Sequence, residues 1–229
     1  MRLTACLFWW SEPLDELHAQ VSALGGFCDR LVAVNGRWDG FPQPAEDTSR
    51  EEIATIVEAA ESAAIDVTVH RPAGTWRGEV AQRNYTLKLA LPDADWIFLM
   101  DGDERVVEVG DDVRAKLAAI DEHVGTLEFH TLDGPEKPAT QWEIPGTTSE
   151  QRRLFRALPD LRYERHHWWL RTDRLALWGE IPGLPFAKAQ KLDVRVQHRT
   201  CVRDRERWKL KRRFIAVRDP ADKARGYEY

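Results

Sequence analysis

The chain reads as an α/β protein, with a mostly parallel central sheet flanked by helices and a short C-terminal helical extension. Two observations predict this class. Short runs rich in Val, Ile, Leu and Phe alternate with longer stretches whose apolar residues recur at helical spacing, giving strand, helix, strand, helix, strand, helix, strand through the N-terminal half. In addition, Trp96-Ile97-Phe98-Leu99-Met100 stands as an uninterrupted apolar run between Asp95 and Asp101, the pattern of a strand buried on both faces. That strand stops at Asp101-Gly102-Asp103-Glu104. Asp-Gly favours a tight turn, so Asp101 and Asp103 should stand together at the strand's carboxyl end, where open α/β sheets place their ligands.

Taken in order, Leu3 to Trp10 is a first buried strand, with Ser11 as a helix cap and Pro13 in the first turn, where its missing N–H costs nothing. Leu14, Leu17, Val21 and Leu24 recur at helical spacing, and Gly25-Gly26 ends the helix. Leu31 to Val34 is a second strand. It runs into Asn35-Gly36-Arg37-Trp38-Asp39-Gly40, which suits either a clasp for a nucleobase and ribose or a plain surface turn. Ser49 and Glu52 form a capping box before a helix with the stripe Ile53, Ile56, Val57 and Ala60. Asp66 to His70 is a third strand, and Val80, Asn84, Leu87 and Leu91 share one face of the next helix. Asn84 and Arg83 therefore fall on or near its inner side, and Asn84 is placed to brace the acidic turn from behind.

After the acidic turn, Asp111 to Ile120 reads as a helix and Thr126 to Leu132 as a strand. Gly134 to Thr148, rich in Pro, Gly and Thr, is expected to loop over the mouth of the site and carry Trp142 as a lid. Arg152 to Arg156 is a short strand, Pro159-Asp160 a turn, and Val194 to His198 a strand with His198 at its end. Residues 203–217 suggest a helix with Leu210, Phe214 and Val217 inward. The division is a main domain over 1–200 and a basic helix and tail over 201–229 packed on it.

The 229 residues suit one substantial domain. Three cysteines, scattered at positions 6, 28 and 201, exclude a disulfide framework and a cysteine zinc site, and point to a reducing, cytoplasmic setting. The first apolar run is too short for a signal peptide core, and no segment is long enough to cross a bilayer. Ten tryptophans are many for this length, and several are expected at a binding surface. The net charge of −5 conceals an asymmetry: residues 1–150 carry 12 Lys and Arg against 28 Asp and Glu, and residues 151–229 carry 21 against 10. The basic part suits a phosphorylated ligand or an anionic acceptor. In the acidic part, two adjacent carboxylates repel, which a divalent ion shared with phosphate oxygens relieves.

Val80-Ala81-Gln82-Arg83-Asn84, then Asp95 through Glu104, then Arg153-Leu154-Phe155-Arg156 resemble, in that order, the family 2 glycosyltransferases of the GT-A fold. The resemblance is closest to bacterial and phage relatives of lipopolysaccharide core β-glucosyltransferases and covers roughly residues 1–200. It implies a nucleotide-sugar donor, a UDP-sugar first of all, with Mn²⁺ or Mg²⁺ and inversion at the anomeric carbon. Carried onto this chain, it implies Asp103 on the metal, Asp101 on the ribose or on the metal through water, and His198 or His167 as a further metal or phosphate contact. Arg83, Asn84, Glu12, Asn35 and Asp39 fall where donor contacts are expected, and Glu150 or Glu164 where a carboxylate would take the acceptor's proton.

The chain departs from the family at three places. Trp9-Trp10-Ser11-Glu12-Pro13 keeps a glutamate but lacks the asparagine before it, Asn35-Gly36 with Asp39 replaces an aspartate pair, and His166-His167-Trp168 replaces His-Glu. The acceptor is left open among a glycan, a lipid-linked sugar, a protein and a modified base. Two other readings stand beside transfer: a catalytically silent sugar-nucleotide or glycan-binding module, and a nucleic-acid contact through the basic residues from Arg203 to Arg213.

Overall fold

A computed structural model describes residues 1–40, 49–132, 146–165 and 169–199. The chain runs through β1 (Leu3–Trp9), α1 (Leu14–Ser22), β2 (Arg30–Asn35), α2 (Ser49–Ser62), β3 (Asp66–His70), α3 (Glu79–Ala90), β4 (Trp96–Asp101), β5 (Glu104–Val109), α4 (Val113–Ala119), β6 (Val124–Thr131) and β7 (Thr148–Arg156). Three short strands, β8 (Arg162–Tyr163), β9 (Leu170–Arg171) and β10 (Ala176–Trp178), then precede the long β11 (Ala189–His198). One eight-stranded sheet has the order β3-β2-β1-β4-β7-β6-β11-β5, and β10-β9-β8 form a second, small sheet. Only β7 and β5 run against the common direction, so the predicted α/β class with a mostly parallel sheet is what the structure shows.

The apolar runs explain the layering. Alternate residues of a strand face opposite sides. In β4, Trp96, Phe98 and Met100 join α1, α2 and α4 in one core, whereas Ile97 and Leu99 join α3 and the small sheet in another. A strand flanked by two such cores has no polar face to offer, which is why its sequence is continuously hydrophobic.

β5 lies outside the sequence expectation, and its position shapes the site. Gly102 and Asp103 alone link β4 to β5, yet β7, β6 and β11 stand between those strands in the sheet. A flat sheet would separate them by about 19 Å at the usual strand spacing, while the three Cα steps from Asp101 to Glu104 reach at most about 11 Å. The sheet must therefore curl until its far edge returns to β4, and β5 indeed touches both β4 and α1. The acidic segment is a link closing that curl rather than a hairpin between paired strands.

Other local expectations are corrected. Ser11 does not cap α1: it takes φ 54, a left-handed conformation, and Pro13 occupies the cap position. Leu14 is exposed, so the buried stripe of α1 is Leu17, Gln20 and Val21. Ser49 lies within α2 and not before it, and Glu52 is buried with its carboxylate accepting the Trp9 indole N–H at 3.1 Å. The inner face of α3 is Gln82, Arg83, Thr86, Leu87 and Ala90, rotated from the predicted apolar stripe because polar side chains at the sheet's carboxyl end take the buried positions. The segment from Leu161 to Ala187 builds the small sheet, whose two- and three-residue strands are too short to show a period. The expected lid with Trp142 falls mostly, and the C-terminal helix wholly, outside the described residues. Among the described residues no helix is long and apolar enough to cross a membrane.

Candidate functional site

The parallel strands bring their last residues to one end of the sheet. Asp101 of β4 stands opposite Phe8 of β1, Trp9 opposite Asn35 of β2, and His198 of β11 opposite both Thr131 of β6 and Glu104 of β5. The link of Gly102 and Asp103 lies among them. Its backbone is held from several sides: the Gln20 side-chain amide donates to the carbonyls of Asp101, at 2.7 Å, and Glu104, the Glu104 carboxylate accepts the Asp101 N–H at 3.0 Å, and the Arg199 N–H donates to the Asp103 carbonyl at 2.8 Å.

Two buried arginines balance the carboxylates. Arg83 reaches from α3 to Asp101 at 2.6 Å and to Glu79 at 2.8 Å, with its guanidinium over the Phe8 ring. Arg153 of β7 pairs with Glu104, lies 3.7 Å from Asp101, and stacks over Phe129 and Trp178. Burial opposes ionisation of Asp101, but Arg83 and Arg153 outweigh it and hold that carboxyl below its ordinary range. Glu104 goes the other way. Its burial, with the charges of Asp101 and Asp103 adding, pushes its carboxyl up to about 7 against the pull of Arg153 and His198.

A folded-state pKa raised in this way means that the stability linked to Glu104 is fully present below its unfolded value of 4.5 and is lost as pH rises through about 7. His70, whose pKa burial lowers, contributes in the opposite direction, so the comparison must be made against a variant that silences Glu104 alone. In urea unfolding followed from about pH 5 to about 7.5, wild type is expected to lose stability steadily relative to Glu104→Gln. A difference that stays constant over that window contradicts the assignment.

Asp103 is buried, with Oδ2 3.7 Å from His198 Nε2. That separation is too long for a hydrogen bond; neighbouring ligands on an octahedral ion, each about 2.1 Å from it, stand about 3.0 Å apart, so a small inward movement of both side chains would bring them to that spacing. Beside them Glu12 packs against the link: a Cβ built on Gly102 would lie 2.6 Å from Glu12 Oε1, so glycine is what lets this carboxylate approach. The left-handed turn at Ser11 delivers Glu12 there. Among the described residues no three His, Cys, Asp or Glu side chains are grouped to hold a metal by themselves. Oxygen-rich sites for Mg²⁺-like ions commonly have few protein ligands and complete their shell with water and substrate phosphates, so the pair fits such an ion bound jointly with a diphosphate.

The remaining predicted residues are distributed differently. Asn35 is buried at the end of β2; its carbonyl accepts the Trp76 indole N–H at 2.7 Å, while its Nδ2 has no hydrogen-bond partner. Asp39 accepts the Thr75 hydroxyl, and its N–H donates to the Trp76 carbonyl at 2.8 Å, zipping the loop after β2 to the loop after β3. Asn84 makes no hydrogen bond to the acidic link. Its amide both donates to and accepts from the Tyr163 backbone, at 3.0 and 2.7 Å, and so ties α3 to the small sheet. Glu150 is exposed on β7 with the Thr126 hydroxyl donating to it at 2.6 Å, and Glu164 pairs with Arg171 at 2.8 Å; neither is brought into the acidic cluster. His167 lies outside the described residues.

Sequence reasoning missed Gln20, Glu104 and the part played by Arg153, and it missed the aromatic group His70, Trp76 and Tyr85 stacked behind the β2 and β3 loops. A polar residue interrupting an otherwise apolar helical stripe, as Gln20 does between Leu17 and Val21, was the one signal available.

No protein-family model matches the chain, and no curated protein matches it. Among solved structures, the chain overlaps TarS of S. aureus at 17% identity over 60% of this chain and 23% of that one, with a TM-score of 0.45. The chain thus spans less than a quarter of the length of TarS. A putative glucose-1-phosphate thymidylyltransferase from Bacillus anthracis overlaps at 9% identity over 68% of this chain and 72% of that one, at 0.43. A UDP-glucose pyrophosphorylase complexed with UDP-glucose does so at 12% identity over 69% and 76%, at 0.37. At these identities and scores the overlaps carry no assignment of activity.

Proposed function

We propose that the chain is a metal-dependent transferase that moves a sugar, with inversion, from a nucleoside-diphosphate sugar to an acceptor hydroxyl. The observation that carries this reading is the pairing of Asp103 with His198, two ligand-type side chains from the sheet's carboxyl end, facing each other beside a cluster of carboxylates and buried arginines. Asp103 and His198 would hold Mn²⁺ or Mg²⁺. A bound ion would supply positive charge against the leaving diphosphate. Asp101, kept ionised by Arg83 and Arg153, presents a carboxylate that is 26% exposed, enough to accept from a ribose hydroxyl. The zipped loops carrying Asn35, Trp38, Asp39 and Trp76 form the wall on which a nucleobase would rest, with a uracil base as the first expectation. The setting proposed is cytoplasmic.

One observation favours a second reading, a module that binds sugar nucleotides without turnover. Both carboxylates placed by sequence to take a proton are engaged elsewhere, Glu150 by Thr126 and Glu164 by Arg171. Incubation with UDP-, GDP- and dTDP-sugars, each with Mn²⁺ and with chelator, separates the two. The transferase reading expects Mn²⁺-dependent thermal stabilisation by one nucleotide class together with slow release of free sugar. Stabilisation without release supports the binding module, and neither signal with any donor contradicts both.

A further inference from the structure

Gln20 lies on α1, 81 residues before Asp101, and its side chain is buried. Its single Nε2 donates to the backbone carbonyls of Asp101 and Glu104, the two residues that bracket Gly102 and Asp103. Its Oε1 is buried with no hydrogen-bond partner. A buried acceptor left unsatisfied is costly, so a residue serving only to fill space here would be better apolar, like Leu17 and Val21 on the same face. What the glutamine provides is an amide with two N–H donors placed against both ends of the link.

We propose that Gln20 is a positioning residue that presets this link for a divalent cation, holding Asp103 opposite His198 before the cation arrives. The inference rests on the metal-dependent reading above. The physical need for it follows from the curl of the sheet: the link is only Gly102 and Asp103, it joins strands that are not neighbours, and one of its residues is glycine, the least restrained of all. Without the clamp the link samples conformations in which Asp103 is misplaced, and apparent cation affinity falls by the fraction that remains competent. The Glu104 carboxylate accepts the Asp101 N–H and Arg199 holds the Asp103 carbonyl, while Gln20 ties together the carbonyls of both ends from a separate helix.

The test uses the full chain and Mn²⁺ alone as the probe, read by electron paramagnetic resonance. Gln20→Met, of similar length without donors, is expected to bind Mn²⁺ about tenfold more weakly, the scale of a buried hydrogen bond. Donor hydrolysis should fall at limiting Mn²⁺ and recover to near the wild-type rate at saturating Mn²⁺. Unchanged Mn²⁺ affinity, or a rate loss that saturating Mn²⁺ does not restore and that follows a fall in melting temperature, makes Gln20 a packing residue only and overturns the proposal. A measurement on wild type alone serves if the variant does not fold: the amides of Asp101 and Arg199, bonded to the Glu104 carboxylate and the Asp103 carbonyl, should be protected from hydrogen exchange without Mn²⁺, and protection appearing only with Mn²⁺ overturns it. Asp103→Asn is run beside these. If it keeps wild-type Mn²⁺ affinity, the metal reading itself fails; if it loses affinity while Gln20→Met does not, the present inference alone fails.

Discussion

Replacing Asp103 with asparagine is expected to abolish Mn²⁺-dependent donor turnover while leaving the melting temperature unchanged or slightly raised. The two halves of this expectation come from the same crowding. Asp101, Asp103 and Glu104 lie within four residues at one end of the sheet, with Arg83 and Arg153 facing Asp101 and Arg153 also paired with Glu104. The carboxylate of Asp103 raises the pKa of both neighbours, so toward them its negative charge is repulsive and its removal relieves them. Asparagine keeps the shape and removes that charge. On the proposed reading it also removes the anionic ligand facing His198, and losing a ligand should exceed the roughly 10- to 100-fold loss of metal affinity or activity typical of disturbing an outer-shell partner. A residue kept at the expense of stability belongs to function, so a variant that is active and as stable as wild type removes Asp103 from the mechanism.

Arg153→Met is expected to have the largest effect on stability. Its guanidinium is buried between Glu104 and Asp101, and its departure leaves two enclosed carboxylates facing each other without their shared cation. Breaking a buried pair from one side costs about 3 to 5 kcal/mol, because the partner's desolvation is no longer compensated. The loss should be greater at neutral pH than at pH near 5, where Glu104 takes up a proton. Removing both partners, Arg153→Met with Glu104→Leu, should recover most of it. Arg195 offers the contrast. It bridges Glu108 and Glu128 at 2.6 Å, but with its side chain 48% exposed, water screens the charges and its removal should barely move the urea midpoint. Equal losses for Arg153→Met and Arg195→Met would show that the buried cluster is not under the electrostatic load described.

The fold was legible where burial leaves a strong pattern. β1, β2 and β4 read directly because both their faces meet apolar layers, and the Asp-Gly dipeptide marked the end of β4. β5 did not read as a strand because Glu104-Arg105-Val106-Val107-Glu108-Val109 mixes charges with only three valines, and its pairing partner β11 comes some ninety residues later. The face of α3 was misplaced because apolar periodicity cannot locate buried Gln82 and Arg83, whose partners lie on other elements, or Thr86, whose hydroxyl donates back to the Gln82 carbonyl. The same reason hid Gln20 and Glu104. Their roles come from hydrogen bonds to a backbone that the curl of the sheet delivers, and no local pattern encodes that closure. Asp103 was a candidate from the acidic turn after β4 and His198 through the family resemblance, whereas their mutual placement required the sheet order.

Crystals soaked with Mn²⁺ and UDP, with data collected at the manganese absorption edge, test the central claim most directly. The account predicts an anomalous peak between Asp103 Oδ2 and His198 Nε2, about 2.1 Å from each, with diphosphate oxygens completing its shell. UDP bound with no manganese at that pair, or manganese held elsewhere with Asp103 and His198 unmoved, would contradict it.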